Sequence, residues 1–439
     1  MIKKIIFTIC FSIIIISSLY SKPYGLRQTN KPFQFDGSGE INYNIINHEP
    51  FIQFLFIPEF TFKKINFGMG FYLPLELSNN NKIRSVEYNS YQGILSKIYY
   101  FQYGDLEKSP ISFKLSEIED YTLGHGLIIN RYSNNLFFPE IRKLGTQINI
   151  SASGIHFNGI LGDVSTQSVA GGRLSVKLGE LAKIQSDILK SLDVGVTSIT
   201  DFNPKSQDII RSENNYKHKI IRRRGSDRFL MVFGGDLSLT FLNNSYFIFG
   251  VHGEFAKINI SGEGIGYGIQ GTILPKILAL NYKFQFRHFL NSFSPSYFNS
   301  FYDAFRYTKI DSIGSQTAKL GWYLEISRYF YENKLGIVIA YDEIFRGDYN
   351  PHLFFKIYAY GIPKRLNFTI RYDRFNLQKL SNFPDVENLD SLFFTEILYR
   401  MSRIVEVGFA YRKGFTIVEN SINPIEKLVN ITLFAKFLF

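Results

Sequence analysis

The chain has 439 residues, 45% of them hydrophobic and 17% aromatic, with a formal net charge of +11 and one cysteine, Cys10. It has no run of about 18 uninterrupted apolar residues, which excludes a helical membrane protein. A single cysteine excludes a disulfide framework. The positive charge would favour anionic headgroups, polyanions or anionic solutes, but it does not indicate a fold.

Residues 1–21 are predicted to be a cleaved signal peptide. Lys3 and Lys4 precede an apolar run from Ile5 to Ile16, and a small-residue stretch closes near Ser21. That run is too short to span a bilayer, so a short membrane anchor is the less favoured alternative. Removing this segment leaves residues 22–439 as one exported domain with a net charge of +9 and no cysteine.

Apolar and polar residues alternate along most of the exported chain, which is the signal of β-strands. Clear examples are "KILALNYKFQFRHFL", "QTAKLGWYLEISRYF", "RLNFTIRYDRF" and "RIVEVGFAYRK". Runs of about 10 residues match tilted membrane strands, whereas strands of soluble sandwiches usually have about 5–6. Aromatic residues gather near the ends of the runs, and the polar faces carry mixed charge that suits a wet lumen. The pattern predicts an all-β fold, a transmembrane antiparallel β-barrel.

About 20 segments show this pattern. They lie near 35–47, 50–63, 64–77, 91–103, 111–119, 145–152, 154–162, 170–178, 191–200, 229–241, 245–258, 263–273, 276–289, 316–329, 333–343, 352–360, 364–374, 391–401, 403–413 and 427–439. Bacterial single-chain barrels have even strand numbers, and we expect about 18 strands within a range of 16–20. Asn243–Asn244 is predicted to be a tight periplasmic turn, and 201–228, 290–315 and 375–390 are predicted to be outer loops.

The last strand supplies a resemblance. "VNITLFAKFLF" has apolar residues at alternate positions and ends on Phe. It resembles the carboxyl-terminal strand of bacterial outer-membrane β-barrel proteins, with matching positions Ile431, Leu433, Ala435, Phe437 and Phe439. The resemblance implies that the last strand pairs with the first in outer-membrane lipid, and that Phe437 and Phe439 form a signal for the barrel assembly machinery. "YTLGHGLIINRYSNN" and "SPSYFNSFYDAFRY" resemble segments of uncharacterised outer-membrane proteins of spirochaetes and other diderm phyla, which implies no activity.

The polar faces of the clearest strands predict the residues that line the pore. They are Lys283, Arg287, Lys319, Glu325, Arg371, Asp373, Glu406, Arg412 and Lys436. Six basic residues against three acidic ones suggest a mild preference for anions. The alternative is that these charges pair across the lumen and keep it wet.

Residues 112–145 interrupt the alternation with an acidic cluster, a Gly-His-Gly turn and a basic cluster. The candidate residues of a constriction loop are Glu117, Glu119, Asp120, His125, Arg131 and Arg142. Such opposed charges resemble the inward-folded loop that narrows general porins. A bulged strand around the two glycines, followed by an ordinary outer loop, is the favoured interpretation.

A second charged stretch lies within 216–228. Its basic residues are Lys217, Lys219, Arg222, Arg223, Arg224 and Arg228. They could bind a surface polyanion, or they could form a solvated loop. Nucleic acid is not expected as a partner of an exported protein.

The sequence shows no enzyme motif, no metal-ligand spacing and no phosphate-binding loop, so we expect neither catalysis nor a cofactor. The favoured function is a porin-like passive channel for small solutes or ions. The alternative is a non-conducting surface protein, an adhesin or structural scaffold that displays its outer loops. Either form could be a homo-oligomer.

Overall fold

The computed structural model describes residues 33–46, 49–77, 82–83, 91–95, 97–138, 141–166, 169–214, 217–223, 229–260, 262–275, 279–290, 293–311, 313, 319–330, 334–345, 351–362, 364–377, 390–417 and 425–438. The predicted signal peptide and Phe439 lie outside these ranges.

The described chain is built almost entirely from strands. They are β1 Gln34–Ile46, β2 Glu49–Phe62, β3 Ile65–Met69, β4 Phe71–Glu76, β5 Lys82–Ile83, β6 Ile98–Tyr103, β7 Ile111–Ser116, β8 Gly145–Ala152, β9 Ile155–Leu161, β10 Val169–Lys177, β11 Asp193–Asp201, β12 Gln207–Asn214, β13 Lys217–Arg223, β14 Leu230–Asn243, β15 Phe247–Ile258, β16 Glu263–Ile273, β17 Leu280–Leu290, β18 Lys319–Phe330, β19 Leu335–Phe345, β20 His352–Tyr360, β21 Leu366–Arg374, β22 Ser391–Arg400, β23 Val405–Ile417 and β24 Ile425–Leu438. Four short helices are α1 Tyr91–Leu95, α2 Leu178–Leu181, α3 Asp187–Lys190 and α4 Tyr302–Asp311.

The sheet closes on itself between its first and last strands. β1 and β24 pair antiparallel, from Ser38 opposite Leu438 to Ile46 opposite Asn430. The resemblance at the carboxyl terminus implied this pairing, and the structure confirms it. Closure pairs both edges of the sheet, so neither edge is left open.

The barrel has 20 strand positions, not the expected 18. β3 and β4 share one position beside β2, and β6 occupies the next position with the short β5 as an extra piece. β12 and β13 form a separate hairpin outside the barrel sheet. The expected number of about 18 was too low, and 20 is the upper end of the expected range of 16–20, because each of the twenty alternating segments contains a strand that pairs in the sheet.

The barrel wall is apolar outside and polar inside. Phe286 and Leu320 point outward and are 49% and 56% exposed, whereas their inward neighbours Arg287 and Lys319 are 1% and 8% exposed. This arrangement is the reverse of a soluble protein and matches a wall that faces lipid. Within the described residues, no helix is both long and apolar enough to cross a membrane.

The two ends of the barrel differ in the length of their links. At one end, the short-turn end, β14 runs to Asn243, and Asn244 Oδ1 accepts hydrogen bonds from the backbone N–H groups of Tyr246 and Phe247, both at 2.9 Å. The predicted tight turn is therefore present. The three long links predicted as outer loops all leave from the opposite end, the long-link end.

Candidate functional site

Two links from the long-link end fold into the lumen. The first inward segment, residues 117–144, joins β7 to β8, and the second, residues 293–313, lies between β17 and β18. Asp120 and Arg131 of the first segment contact the inner faces of β20 and β18, far from β7 and β8. The favoured interpretation of residues 112–145 as a bulged strand and an ordinary outer loop was therefore wrong, because Asp120 and Arg131 contact the inner wall.

The second inward segment was assigned wrongly. Residues 290–315 were expected to be an outer loop, but Tyr297, Phe298 and Tyr302 are fully buried inside the barrel. A polar loop would remain outside because its backbone needs water, whereas these aromatic rings gain from burial, about 1.5–3 kcal/mol for a side chain such as Phe.

The Gly-His-Gly turn has a local reason. Gly124 and Gly126 have φ angles of +58° and +90°, which favour glycine. A Cβ on Gly124 would lie 3.1 Å from Glu254 Oε1 and 3.2 Å from Asp236 Oδ2. The two glycines therefore form a tight turn that lets the segment approach the wall, and they do not mark a bulged strand.

The two inward segments share an apolar core with the wall. Ile129 forms a parallel bridge with Phe298, and the Phe298 N–H donates to the Ile128 carbonyl at 3.1 Å. The buried residues of this core from the first segment and the wall include Leu123, Leu127, Ile199, Leu230, Val232, Ala256 and Phe289. The core fixes both segments as one body in the lumen.

Asp120 ties the first segment to the far wall. Its carboxylate lies 2.6 Å from Lys356 Nζ and 3.1 Å from Arg371 Nη1. Burial alone would raise the pKa of the Asp120 carboxyl, but Arg371, Lys356 and Arg131 hold it well below its usual range. The carboxylate therefore stays ionised.

Other predicted constriction residues hold the segment together. Arg142 Nε donates to Glu117 Oε1 at 2.5 Å, and its other nitrogens donate to the carbonyls of Ile98 and Tyr99 at 3.0 and 2.8 Å. Asn135 Nδ2 donates to Glu119 Oε1 at 2.6 Å. These charges stabilise the loop rather than facing the open lumen.

His125 packs between the turn and the near wall. Its ring stacks on that of His252 at a centroid distance of 4.4 Å, and its Nε2 lies 3.9 Å from Asp236 Oδ1. Burial, with the nearby cations Lys283 and Arg173, lowers the pKa of His125 to about 3. The docked imidazole is therefore neutral at pH 7.

All nine predicted pore-lining residues lie on the inward face of the wall. Seven are buried, and Lys283 and Glu325 are half-buried. The ion pairs that these residues make are Arg287–Asp342 at 2.6 Å, Glu325–Arg131 at 2.8 Å, Arg371–Asp120 at 3.1 Å, Arg371–Asp373 at 3.3 Å, Glu406–Arg400 at 2.7 Å and Lys436–Glu40 at 3.0 Å. Lys283 Nζ instead donates to the His125 carbonyl at 3.2 Å, and Arg412 Nη2 donates to the Asn135 carbonyl.

Sequence reasoning missed two of the four acidic partners of the basic pore-lining residues, Glu40 and Asp342. Glu40 and Asp342 occupy inward positions of alternating strands, so the same alternation would have found them. Asp120 was found, but its partners lie more than 200 residues away. Because these acids neutralise the basic residues, the arrangement supports the alternative in which the charges pair across the lumen, and it leaves only a small net field for the mild preference for anions.

Several inward hydroxyl groups have no hydrogen-bond partner within the described chain. They belong to Ser38, Ser112, Ser175 and Thr197, on four strands around the barrel. A buried hydroxyl without a partner costs about 1–3 kcal/mol. Water in the lumen would remove that cost, so the inner surface is suited to a hydrated interior.

No family model and no curated protein matches the chain. Among solved structures it is similar to Pseudomonas aeruginosa OccK5 (OpdH), with 9% identity, 93% of this chain and 97% of that chain covered, and a TM-score of 0.36. It is also similar to P. aeruginosa OccK2 (OpdF) in complex with glucuronate, with 9% identity, coverage of 93% and 98%, and a TM-score of 0.36. P. aeruginosa OpdQ gives 11% identity, coverage of 93% and 97%, and a TM-score of 0.33.

The chain folds as a porin-like β-barrel. Its antiparallel sheet is closed, with an apolar exterior and a polar interior.

The porin-like barrel contains a cavity of about 270 Å³ in its inner wall. It lies across β14 to β18, in the half of the lumen nearer the short-turn end. Lys283 and Glu325, two of the predicted pore-lining residues, are part of its wall.

The basic stretch stays a prediction. Lys217, Lys219, Arg222 and Arg223 lie in β13, which pairs with β12. Arg224 and Arg228 lie outside the described residues.

Proposed function

We propose that the chain is a passive outer-membrane channel for small polar solutes, narrowed by its two inward segments. One observation carries the proposal: the inward segments cross the lumen of a 20-strand barrel and are fixed to its wall by ion pairs. Barrels of 16–18 strands leave an aqueous channel, and 22-strand transporters have a plugged lumen. A 20-strand barrel with two internal segments fits a wide pore that has been narrowed.

The outer membrane is the proposed location because barrels of this type span it. In this proposal, residues 1–21 direct export and are removed. Phe437 faces outward and is 39% exposed, so it is available to lipid and to the assembly machinery. The oligomeric state is left open, and no catalytic activity is assigned.

We propose weak ion selectivity. The basic excess in the nine pore-lining residues favours anions, but most of these charges have acidic partners in the folded barrel. Paired charges give a small net field, so the preference for anions should be mild.

Planar bilayer recording of the purified barrel tests the proposal. We expect stepwise currents of small amplitude, and a reversal potential in a salt gradient that is slightly shifted towards anions. Heat-modifiable mobility on gels shows whether the purified barrel is folded. A folded barrel that carries no current would refute the channel. Clear cation selectivity would refute the proposed preference for anions but would leave the channel proposal intact.

The display function has one observation in its favour. β12 and β13 form a hairpin outside the barrel sheet, and β13 carries four of the six basic residues of the predicted polyanion-binding loop. Deleting residues 207–223 should abolish binding to immobilised heparin and leave conductance intact if this function is present. Heparin binding that survives the deletion would refute it.

A further inference from the structure

The cavity in the inner wall has a mostly neutral lining. Its uncharged polar side chains are Thr240, Gln270, Thr272, Asn281, Tyr282 and Ser327. Hydroxyl and amide groups both donate and accept hydrogen bonds. Such a lining matches a ligand with several groups that also donate and accept hydrogen bonds.

Strand register arranges these groups in two neighbouring rows. Gln270 is opposite Lys283, which is opposite Glu325. Two residues along the strands, Thr272 is opposite Asn281, which is opposite Ser327. Directly opposite residues have Cβ atoms about 4.5–5.5 Å apart, and diagonal neighbours are about 7–8 Å apart. The spacing is that of a grid that can contact several hydroxyl groups of one small molecule.

The two charged residues of the cavity balance each other. Lys283 Nζ donates to the His125 carbonyl at 3.2 Å, and Glu325 Oε2 accepts from Arg131 at 2.8 Å and from the Tyr323 hydroxyl at 2.5 Å. Both charges are therefore engaged by neighbouring groups, yet the ammonium keeps further N–H groups and the carboxylate keeps its second oxygen. An anionic ligand would meet Glu325, and a cationic ligand would meet Lys283.

We infer that this cavity is a binding site for a neutral polyhydroxylated solute of about one sugar ring. The volume of about 270 Å³ lies just below the range of about 300–1,000 Å³ for drug-sized ligands. At about 30 Å³ for each water, it holds about nine waters or one small ring. The inference rests on the proposed channel, whose lumen would bring the solute to the site.

Three probes that share a sugar ring but differ in charge test whether the site prefers a neutral ligand. They are glucose, glucuronate and glucosamine. Binding is measured by calorimetry on the detergent-solubilised barrel, and by solute-induced interruptions of the ion current in bilayers. We expect glucose to bind more tightly than either charged analogue. Equal or tighter binding of glucuronate or glucosamine would overturn the inference.

Two variants and a matched control test the location. Thr272 Oγ1 donates to Asn281 Oδ1 at 2.9 Å, so the amide N–H groups of Asn281 are the ones offered to the ligand. Asn281→Ala should weaken glucose binding about tenfold, because one lost hydrogen bond is worth up to about 1.5 kcal/mol. Gln147→Ala removes an amide from the inward face of β8, outside the cavity lining, and should leave glucose binding unchanged. Gln270→Glu adds one negative charge and should shift the preference to glucosamine, which keeps the test decisive if Asn281→Ala fails to fold.

The outcomes separate the two proposals. A barrel that conducts but neither binds glucose nor shows interruptions overturns the inference and leaves the channel intact. A folded barrel that binds glucose in detergent but never conducts supports the site and refutes the channel. Equal loss of glucose binding in Asn281→Ala and Gln147→Ala would overturn the proposed location.

Discussion

Asp120→Asn should release the first inward segment from the far wall. The carboxylate links that segment to Lys356 at 2.6 Å and to Arg371 at 3.1 Å. Asp120 has a φ of +53°, a conformation that Asn also adopts readily, so the substitution removes charge with little backbone cost. The effect should therefore report the ion pairs alone.

The size of the effect of Asp120→Asn on docking follows from the burial of the ion pair between Asp120 and Lys356. Removing one partner of a buried ion pair costs about 3–5 kcal/mol. The Asp120 side chain is 18% exposed, so we take the lower figure of about 3 kcal/mol. At about 1.4 kcal/mol for each factor of ten, the ratio of undocked to docked segment should rise about a hundredfold.

Single-channel recording measures this ratio as the frequency of large-conductance openings. Asp105→Asn, in the β6–β7 turn and remote from the ion pairs of Asp120, is the matched control and should behave as the wild type. Replacing both Asp120 and Lys356 by uncharged residues should restore part of the docking, because the unpaired charge of Lys356 is then gone and Arg371 keeps Asp373 at 3.3 Å. The reasoning is refuted if Asp120→Asn folds normally and opens no more often than Asp105→Asn.

Three further predictions concern acid, the barrel seam and the lipid-facing wall. His125 has a pKa of about 3 when the first inward segment is docked and about 6.5 when it is free. The free energy of docking is therefore at its full value above pH 6.5 and falls by about 1.4 kcal/mol for each pH unit between pH 6.5 and pH 3. Large openings should increase as the pH falls from 6.5, and His125→Gln should weaken that dependence, since the stacked imidazole of His252 remains; a flat wild-type profile would contradict this. Glu40→Gln removes the carboxylate that lies 3.0 Å from the buried Lys436 and should lower the free energy of unfolding in urea by about 3 kcal/mol. Adding Lys436→Met should restore part of that stability. Phe286→Arg should cost about 2–4 kcal/mol in lipid and Leu290→Arg, at the end of the strand, about 0–1 kcal/mol; equal losses would argue against a lipid-facing exterior.

Local alternation predicted the wall because a strand's two faces can be assigned from the sequence of that strand alone. The inward position of Arg287 and the outward position of Phe286 follow from adjacent residues. The pairing of β1 with β24 followed from the resemblance of the last strand. These features need no knowledge of contacts between distant parts of the chain.

The contents of the lumen could not be predicted in this way. Asp120 and Lys356 are 236 positions apart, and nothing in either local sequence indicates the other. The aromatic residues of 293–313 could have indicated that this link is buried, because a loop on the outside would leave Tyr297, Phe298 and Tyr302 in water. The polar composition of the link as a whole pointed instead to an outer loop.

The contact between the two inward segments has a consequence for biogenesis. Lys143 Nζ and Asp303 Oδ2 are 2.7 Å apart, and the segments that carry them are contributed by chain regions about 160 residues apart. This ion pair can form only when both segments have entered the lumen, so the first segment gains the contact no earlier than the arrival of a part of the chain that follows it by about 160 residues.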